Sequence, residues 1–398
     1  MNTAVQAFKA SISYAEAMHK VTLILAFALS PLAAAGGSGG PAPVIQPPQR
    51  VNTTLNFGDF TSAAQWTYPA AQTGKLPAVL LIHGSTPADM DFTVTGPDGK
   101  VLSRIFADLS QGLSTQGIAV LRYNKHYVSG PGKVDYQSFY TKADLNTFLK
   151  DAETALNAIK ANPRVDPERI YVYGWSEGST VAAALVNNHP EVAGLILQAP
   201  VTLPWADLFD KQLTDVQLPY LKQVVPGGLT NQNLTVAYTG PGGLVARSAL
   251  TFALNQEGLA AGKYELNLAA YDLNRNGVIE LDSEYLPGAR FALKYLIETP
   301  QAPLNIYSRA RALPVTTAQA PSIKVPVLIL QGQNDANTPA KYLNALTDAL
   351  RSSGVPTTVK LYPGLGHSLG KAPSIVQDNF QPIETQPIND TADWIKGR

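Results

Sequence analysis

An α/β fold, with a mostly parallel, doubly wound sheet and a helical cap insertion, follows from three features of this sequence. Short apolar, β-rich runs alternate with amphipathic helical stretches, as in parallel sheets covered on both faces. One junction, Arg169 to Ala184 (RIYVYGWSEGSTVAAA), passes from a β-rich run to an Ala-rich helical run through two glycines. The alternation pauses between Val201 and Ser322, where Pro, Gly, Asn and Gln crowd among helical pieces, and then resumes. The segment 201–320 is therefore read as an insertion into one core made of 51–200 and 321–398.

The elements follow in order. Residues 1–35 hold Met18-His19-Lys20, the apolar run VTLILAFALSPLAAA and a closing Ala33-Ala34-Ala35, the layout of a secretory signal peptide. Residues 1–17 do not resemble a signal n-region, which points to Met18 as the translation start. The apolar run is short and broken by Pro31, so stable membrane association after cleavage is not expected. Residues 36–50, rich in Gly and Pro, read as a linker. Two β-like pieces (VNTTLNF, AQWTYP) precede the buried-type strand AVLLI at 78–82. Then come a helix over Arg104–Gln116, a strand over Ile118–Tyr123 and a long helix over Ala143–Ala161, stopped by Asn162-Pro163. Ala152, Ala155, Leu156 and Ile159 give that helix its apolar stripe. Past the junction lie a strand in GLILQAP (194–200), the insertion, and a strand in VPVLILQGQND (325–335). A helix over Lys341–Arg351, a strand over Thr357–Tyr362 and a last helix near Thr391–Lys396 close the chain.

Composition narrows the function. Lys+Arg and Asp+Glu number 30 each, so no net field favours nucleic acid. The absence of cysteine excludes disulfides, a thiol nucleophile and thiolate metal sites. Hydrophobic residues make up 45% of the chain, enough for a sizeable core.

Gly174-Trp175-Ser176-Glu177-Gly178 fits a G-x-S-x-G nucleophile elbow, which sets a serine on a tight strand-to-helix turn with its hydroxyl presented. A serine hydroxyl attacks only when a base takes its proton, so Ser176 needs a histidine oriented by a carboxylate. Of the five histidines, His19 lies in the leader and His189 at the far end of the elbow helix. His83 and His126 precede the elbow. His367, in a Gly-rich loop after the last strand, satisfies the order Ser, acid, His. Asp335, ending VLILQGQND, is the acid expected between them; the competing reading is a cap of the next helix, a job Asn337 and Thr338 could also do. The oxyanion hole needs two backbone N–H groups: one from Glu177, the other from Ser85 in the loop after AVLLI, with Thr86 as competitor. Protonation of His367 should remove activity on the acid side.

His83-Gly84-Ser85-Thr86-Pro87-Ala88-Asp89-Met90-Asp91 resembles the H-G-S-G-P-x-D-x-D loop of bacterial α/β-hydrolase carboxylesterases, relatives of the serine-aminopeptidase and prolyl-oligopeptidase-like hydrolases. IAVLRYNK, WSEGS, LILQGQND and YPGLGH fall where that family has matching segments. The resemblance implies the α/β-hydrolase fold and ester hydrolysis through an acyl-serine intermediate, on a small-molecule ester and without a required cofactor. Three departures stand out. Thr86 replaces a glycine, Trp175 replaces a histidine, and Asn124 and His126 replace the Asp and Arg of R-Y-D-K-R-G, so that loop is given no role. A peptidase of the same fold and a non-catalytic binding protein on this fold are the competing readings. Apolar residues of the insertion, among them Trp205, Leu208, Phe209, Leu221 and Phe252, either line a pocket or pack the cap onto the sheet.

The insertion also holds DLNRNGVIELDS, which matches an EF-hand-type calcium loop in its oxygen spacing. Asp272, Asn274, Asn276, the Val278 carbonyl and Glu280 take the first, third, fifth, seventh and ninth positions, and Gly277 takes the sixth. The twelfth, which should be a bidentate carboxylate, is Ser283, so Asp282 or Glu284 would have to close the shell. A structural calcium ion of weak affinity, or a plain Asn/Gly turn, is expected there.

Overall fold

The computed structural model describes residues 47–398 apart from 72–73, 97–98, 256–257 and 259–261. The signal peptide and most of the linker read from the sequence lie outside the described residues.

Eight strands form the central sheet: β1 (Gln49–Asn56), β2 (Thr61–Tyr68), β3 (Leu76–Ile82), β4 (Ala119–Tyr123), β5 (Val165–Trp175), β6 (Gly194–Gln198), β7 (Val327–Gly332) and β8 (Thr357–Tyr362). Their order across the sheet is β1-β2-β4-β3-β5-β6-β7-β8. β1 and β2 pair antiparallel, as do β2 and β4, and every pairing from β4 to β8 is parallel. The strands from β3 to β7 are almost wholly buried because helices cover both faces. β5, at the centre, carries the elbow at its C-terminal end.

On one face lie α1 (Ile105–Thr115) and α7 (Thr385–Lys396), on the other α2 (Leu145–Lys160) and α3 (Glu177–Asn188). The α2 stripe of Ala152, Ala155, Leu156 and Ile159 is fully buried, and Asp144 starts the helix with a capping box to Thr147. The last helix is longer than expected, starting at Thr385 and not near Thr391. Pro387 sits in its first turn, where its missing N–H would have had no partner anyway.

The insertion contains α4 (Trp205–Gln212), α5 (Leu286–Glu298) and several shorter helical turns. It divides its apolar residues between two tasks. Trp205, Leu208 and Phe209 join the main core beside α3, while residues from Leu213 to Ala289 form a core of their own. Leu221 lies inside that second core and Phe252 packs against it, so these side chains pack the insertion. Phe291 is exposed. α6 (Asn344–Ser352) connects the final strand pair, β7 and β8.

His126 ties the β1–β2 turn to α2. Its Nδ1 lies 2.9 Å from Asp151 and its Nε2 3.2 Å from Asp59, whose other oxygen accepts from Tyr127 at 2.6 Å. Burial pulls the imidazole pKa down, but the bonds and charges of Asp151 and Asp59 outweigh it and leave it raised. A raised histidine stabilises the fold fully below its unfolded value, about 6.5, and that contribution fades as pH rises through the folded value. The melting-temperature loss of His126→Phe should therefore be larger at about pH 6 than at about pH 9. Equal losses at both would leave the ring a packing element only.

Candidate active site

Ser176 begins α3 with φ 56° and ψ −122°, a conformation rarely adopted by a residue with a side chain. Such strain, of order ~1–3 kcal/mol, persists only where neighbours over-determine it. The two elbow glycines show how. A Cβ on Gly174 would run into the Gly178 carbonyl and Ala182, and one on Gly178 into the carbonyls of Ile82 and His83. The turn is thus pressed between its own helix and the end of β3, and only glycine fits on either side.

His367 lies beside this turn, in the loop after β8. Its Nδ1 is 2.9 Å from both carboxylate oxygens of Asp335. The Asp335 carboxylate is inaccessible to solvent and has further donors: the N–H groups of Asn337 and Thr338 at 2.8 Å, the Thr338 hydroxyl at 2.8 Å and the Gln331 amide at 2.9 Å. It therefore caps the following turn and pairs with the histidine at once, so the two roles read from the sequence are compatible. With so many donors the carboxylate cannot rotate, and it fixes the imidazole with a protonated Nδ1 and a free Nε2.

Three residues that sequence reasoning passed over hold His367 in place. The Trp175 indole donates to the His367 carbonyl at 3.0 Å, and its ring lies 5.4 Å from the imidazole. Gln198, at the end of β6, donates to the same carbonyl at 3.1 Å. On the other side, Asp378 Oδ2 accepts from the N–H of His367 at 2.9 Å and of Ala336 at 3.1 Å. One carboxylate thus fastens the histidine loop to the residue after the acid. Burial first, then the charge of Asp335, push its pKa up to about 6. The elbow tryptophan, where the resemblance has histidine more commonly, thus bonds directly to this loop. Asp378 lay in a Pro- and Gln-rich stretch without periodicity, and nothing local marked it.

The remaining histidines stand apart from this pair. His83 is buried against Phe106 and Tyr123, and burial, with the Lys125 charge, pushes it down to about 3. His189 caps the far end of α3 beside Lys160 and Glu191.

The loop that carries Ser85 passes over the elbow. A Cβ on Gly84 would lie 3.2 Å from the Ser176 Cβ, so the loop after β3 runs directly over the serine. Glu177 is the first residue of α3, whose opening N–H groups have no helical partner. Thr86 takes φ 75°, which a glycine would adopt without strain. The two aspartates of the loop fold it: Asp89 accepts from the N–H of Asp91 and Thr93, and Asp91 pairs with buried Arg122 at 3.0 Å. The segment after β4, given no role from the sequence, holds the loop from behind. Asn124 accepts from the Met90 N–H at 2.8 Å, and Lys125 bonds the carbonyls of Gly84 and Thr86.

The 272–284 loop lies in the insertion. Gly277 has φ 83°, as the sharp turn requires, and all its side-chain donors are oxygens suited to a hard cation. Those oxygens serve the loop itself: Asp272 accepts from the N–H of Asn276 and Gly277, and Asn276 from that of Val278. Among the described residues no group of three or more His, Cys, Asp or Glu is gathered as a metal site. Asp282 is turned away, paired with Lys222 at 2.7 Å. Glu284 is turned inward, accepting from the N–H of Leu273, Asn274 and Glu280. The helix leaving the loop opens with a π-helical turn, Leu281–Tyr285, along which Asp282 faces Lys222 and Glu284 faces back into the loop.

Comparison with known proteins adds the lineage. Residues 101–239 match the family model of serine aminopeptidases (S33), and residues 285–391 that of the dienelactone hydrolase family. The chain is 35% identical over 148 residues to esterase EstD of Thermotoga maritima, covering 36% of this chain and 32% of that one. It is 27% identical over 168 residues to a Mycobacterium tuberculosis protein, covering 42% and 51%. The chain thus spans about a third to a half of the length of these relatives. Two solved structures superpose with a TM-score of 0.50 over 89% of this chain. One is an acylaminoacyl peptidase of Pyrococcus horikoshii, 11% identical and covered over 42% of its length; the other is a hypothetical protein of Pseudomonas aeruginosa, 14% identical and covered over 95%. These last two speak for the fold alone. One matched family segment contains Ser176 and the other contains Asp335 and His367, joined by the sheet order just described, and the chain belongs to the α/β-hydrolase superfamily.

Proposed function

We propose that this protein is a serine carboxylesterase that acts through an acyl-serine intermediate. The observation that carries the reading is a strained, glycine-flanked Ser176 beside a His367 held 2.9 Å from a fully buried Asp335. His367 Nε2 takes the Ser176 proton as the hydroxyl oxygen attacks the ester carbonyl. The amides of Ser85 and Glu177 receive the developing oxyanion, and His367 then gives the proton to the leaving alcohol. Water repeats the cycle on the acyl-enzyme and frees the acid. The likeness to an esterase, 35% identical over 148 residues, supports ester over amide chemistry. The match to the serine aminopeptidase family supports the second reading, a peptidase using the same residues.

A fluorophosphonate should label Ser176 in the wild type and nothing in Ser176→Ala. In parallel panels, p-nitrophenyl esters should be turned over far faster than aminoacyl anilides. Preference for the anilides would install the peptidase, and labelling elsewhere would remove the site. Export, with cleavage after Ala33–Ala35, belongs to the same reading, and N-terminal sequencing of the mature protein tests it.

The 272–284 loop is assigned a structural calcium ion held by Asp272, Asn274, Asn276, Glu280, Glu284 and the Val278 carbonyl. In ~1 mM calcium the melting temperature should rise relative to EGTA by ligand linkage, and Asp272→Ala should lose that rise. An equal shift in both proteins would leave the loop a plain turn.

A further inference from the structure

Lys125 is buried behind the site and touches neither Ser176 nor His367 among the described contacts. Its ammonium donates to the Gly84 carbonyl at 2.8 Å, the Thr86 carbonyl at 3.2 Å and Glu177 Oε1 at 2.5 Å. Three donors thus meet three acceptors, and the group has no spare proton for substrate. The other Glu177 oxygen accepts from the Tyr307 hydroxyl at 2.6 Å. Phe148 closes the remaining side, its ring centroid 4.2 Å from the ammonium.

A buried ion pair of this kind is a costly way to fill space. Apolar residues of similar volume usually stabilise a core at least as well, because two charges must be stripped of water. The position of the pair gives it another use. The Gly84 carbonyl belongs to the same planar peptide as the Ser85 N–H. None of the described peptides is cis, so that N–H points away from the lysine that holds the carbonyl. An amide whose oxygen is bonded to a cation is polarised, and its N–H becomes a stronger donor. The second bond, to Thr86, restrains the left-handed residue that follows Ser85. Glu177 completes the arrangement: its side chain neutralises Lys125 while its own N–H opens α3 beside the serine.

We propose that Lys125, with the Glu177 side chain, is a positioning residue for the oxyanion hole, aiming and polarising the Ser85 amide from behind. The proposal rests on the acyl-serine reading above. It makes the effect of Lys125 specific to the state in which negative charge sits on the carbonyl oxygen. Ground-state ester binding should hardly change, since the neutral carbonyl draws little on the donor.

The test compares Lys125→Met, Glu177→Gln and the double variant Lys125→Met/Glu177→Gln with the wild type. The double variant serves where Lys125→Met alone, with its unpaired Glu177, fails to fold; its reference is Glu177→Gln. Each protein is titrated to completion with a fluorophosphonate so that rates refer to labelled sites. Two quantities are then measured: kcat and KM for one p-nitrophenyl ester, and the inhibition constant of an aryl trifluoromethyl ketone, whose serine adduct carries an oxyanion. Loss of Lys125 should lower kcat and ketone affinity together, by about 100-fold, with KM within about threefold. Folded, labelled variants that keep ketone affinity and kcat within about threefold of their reference would overturn the proposal. A loss confined to KM would overturn it as well. A wild type that no fluorophosphonate labels, with Ser176→Ala still active, would bring down the acyl-serine reading itself, an outcome distinct from either.

Discussion

Ser176→Ala should lower kcat for a p-nitrophenyl ester by about 10⁵–10⁶-fold while the protein melts within a few degrees of the wild type. The size of the loss follows from the chemistry, since without the hydroxyl no acyl-enzyme forms and only uncatalysed attack by water within the site remains. The small effect on stability follows from the elbow. Its conformation is imposed by the packing of Gly174 and Gly178 against carbonyls and by the Ser176 N–H, which donates to Gln198 at 2.9 Å. The hydroxyl takes no part in those contacts. Steady-state rates beside a circular-dichroism melt decide it. A variant that retains even a hundredth of wild-type activity would mean that another group is acylated.

Asp335→Asn should cost about 10⁴-fold in kcat, although the side chain keeps its shape. The amide can accept from Asn337 and Thr338 through its oxygen, which leaves its NH₂ facing His367 Nδ1. An NH₂ there can only donate, so the imidazole is turned to the tautomer whose Nε2 carries the proton and cannot act as base. Ester binding should persist, giving a fall in kcat at nearly constant KM, with a lower melting temperature because the new NH₂ also meets the Gln331 amide. A loss of less than about tenfold would assign Asp335 to the capping of its own turn and nothing more.

The parts of this site that were legible in the sequence are those written in local pattern. Strand, paired glycines and helix identified Ser176 because the elbow is built within ten residues. With so few histidines in the chain, chain order alone was enough to single out His367. Long-range contacts left no such trace. Asp378 reaches the histidine loop from an irregular stretch, and Tyr307 reaches Glu177 from inside the insertion. Neither has a periodicity to betray it. Lys125 was hidden differently: it sits between two departures from a family motif, and those departures drew attention from the unchanged residue between them. At the 272–284 loop, counting along the sequence put Ser283 at the closing position and left Asp282 and Glu284 on either side. That Asp282 pairs with Lys222 while Glu284 turns into the loop depends on the π-helical turn at Leu281–Tyr285, which spacing does not reveal.

β6 and β7 lie side by side in the sheet, Leu195 opposite Val327, although residues 199–326 intervene. Closing a loop of that length as random coil would cost about 4 kcal/mol of chain entropy before the first strand contact forms. The second apolar core shortens the journey, because once residues from Leu213 to Ala289 collapse on themselves the ends of the insertion are already near each other. The order of events during refolding follows from this. The connections among β1 to β6 are all shorter than the insertion and those strands can pair early, whereas β7 and β8, whose loops carry Asp335 and His367, must wait for it to condense. Ser176 is therefore set in its elbow before its partners arrive. Recovery of turnover after dilution from denaturant should trail recovery of the far-ultraviolet signal, and the lag should lengthen when the core of the insertion is weakened.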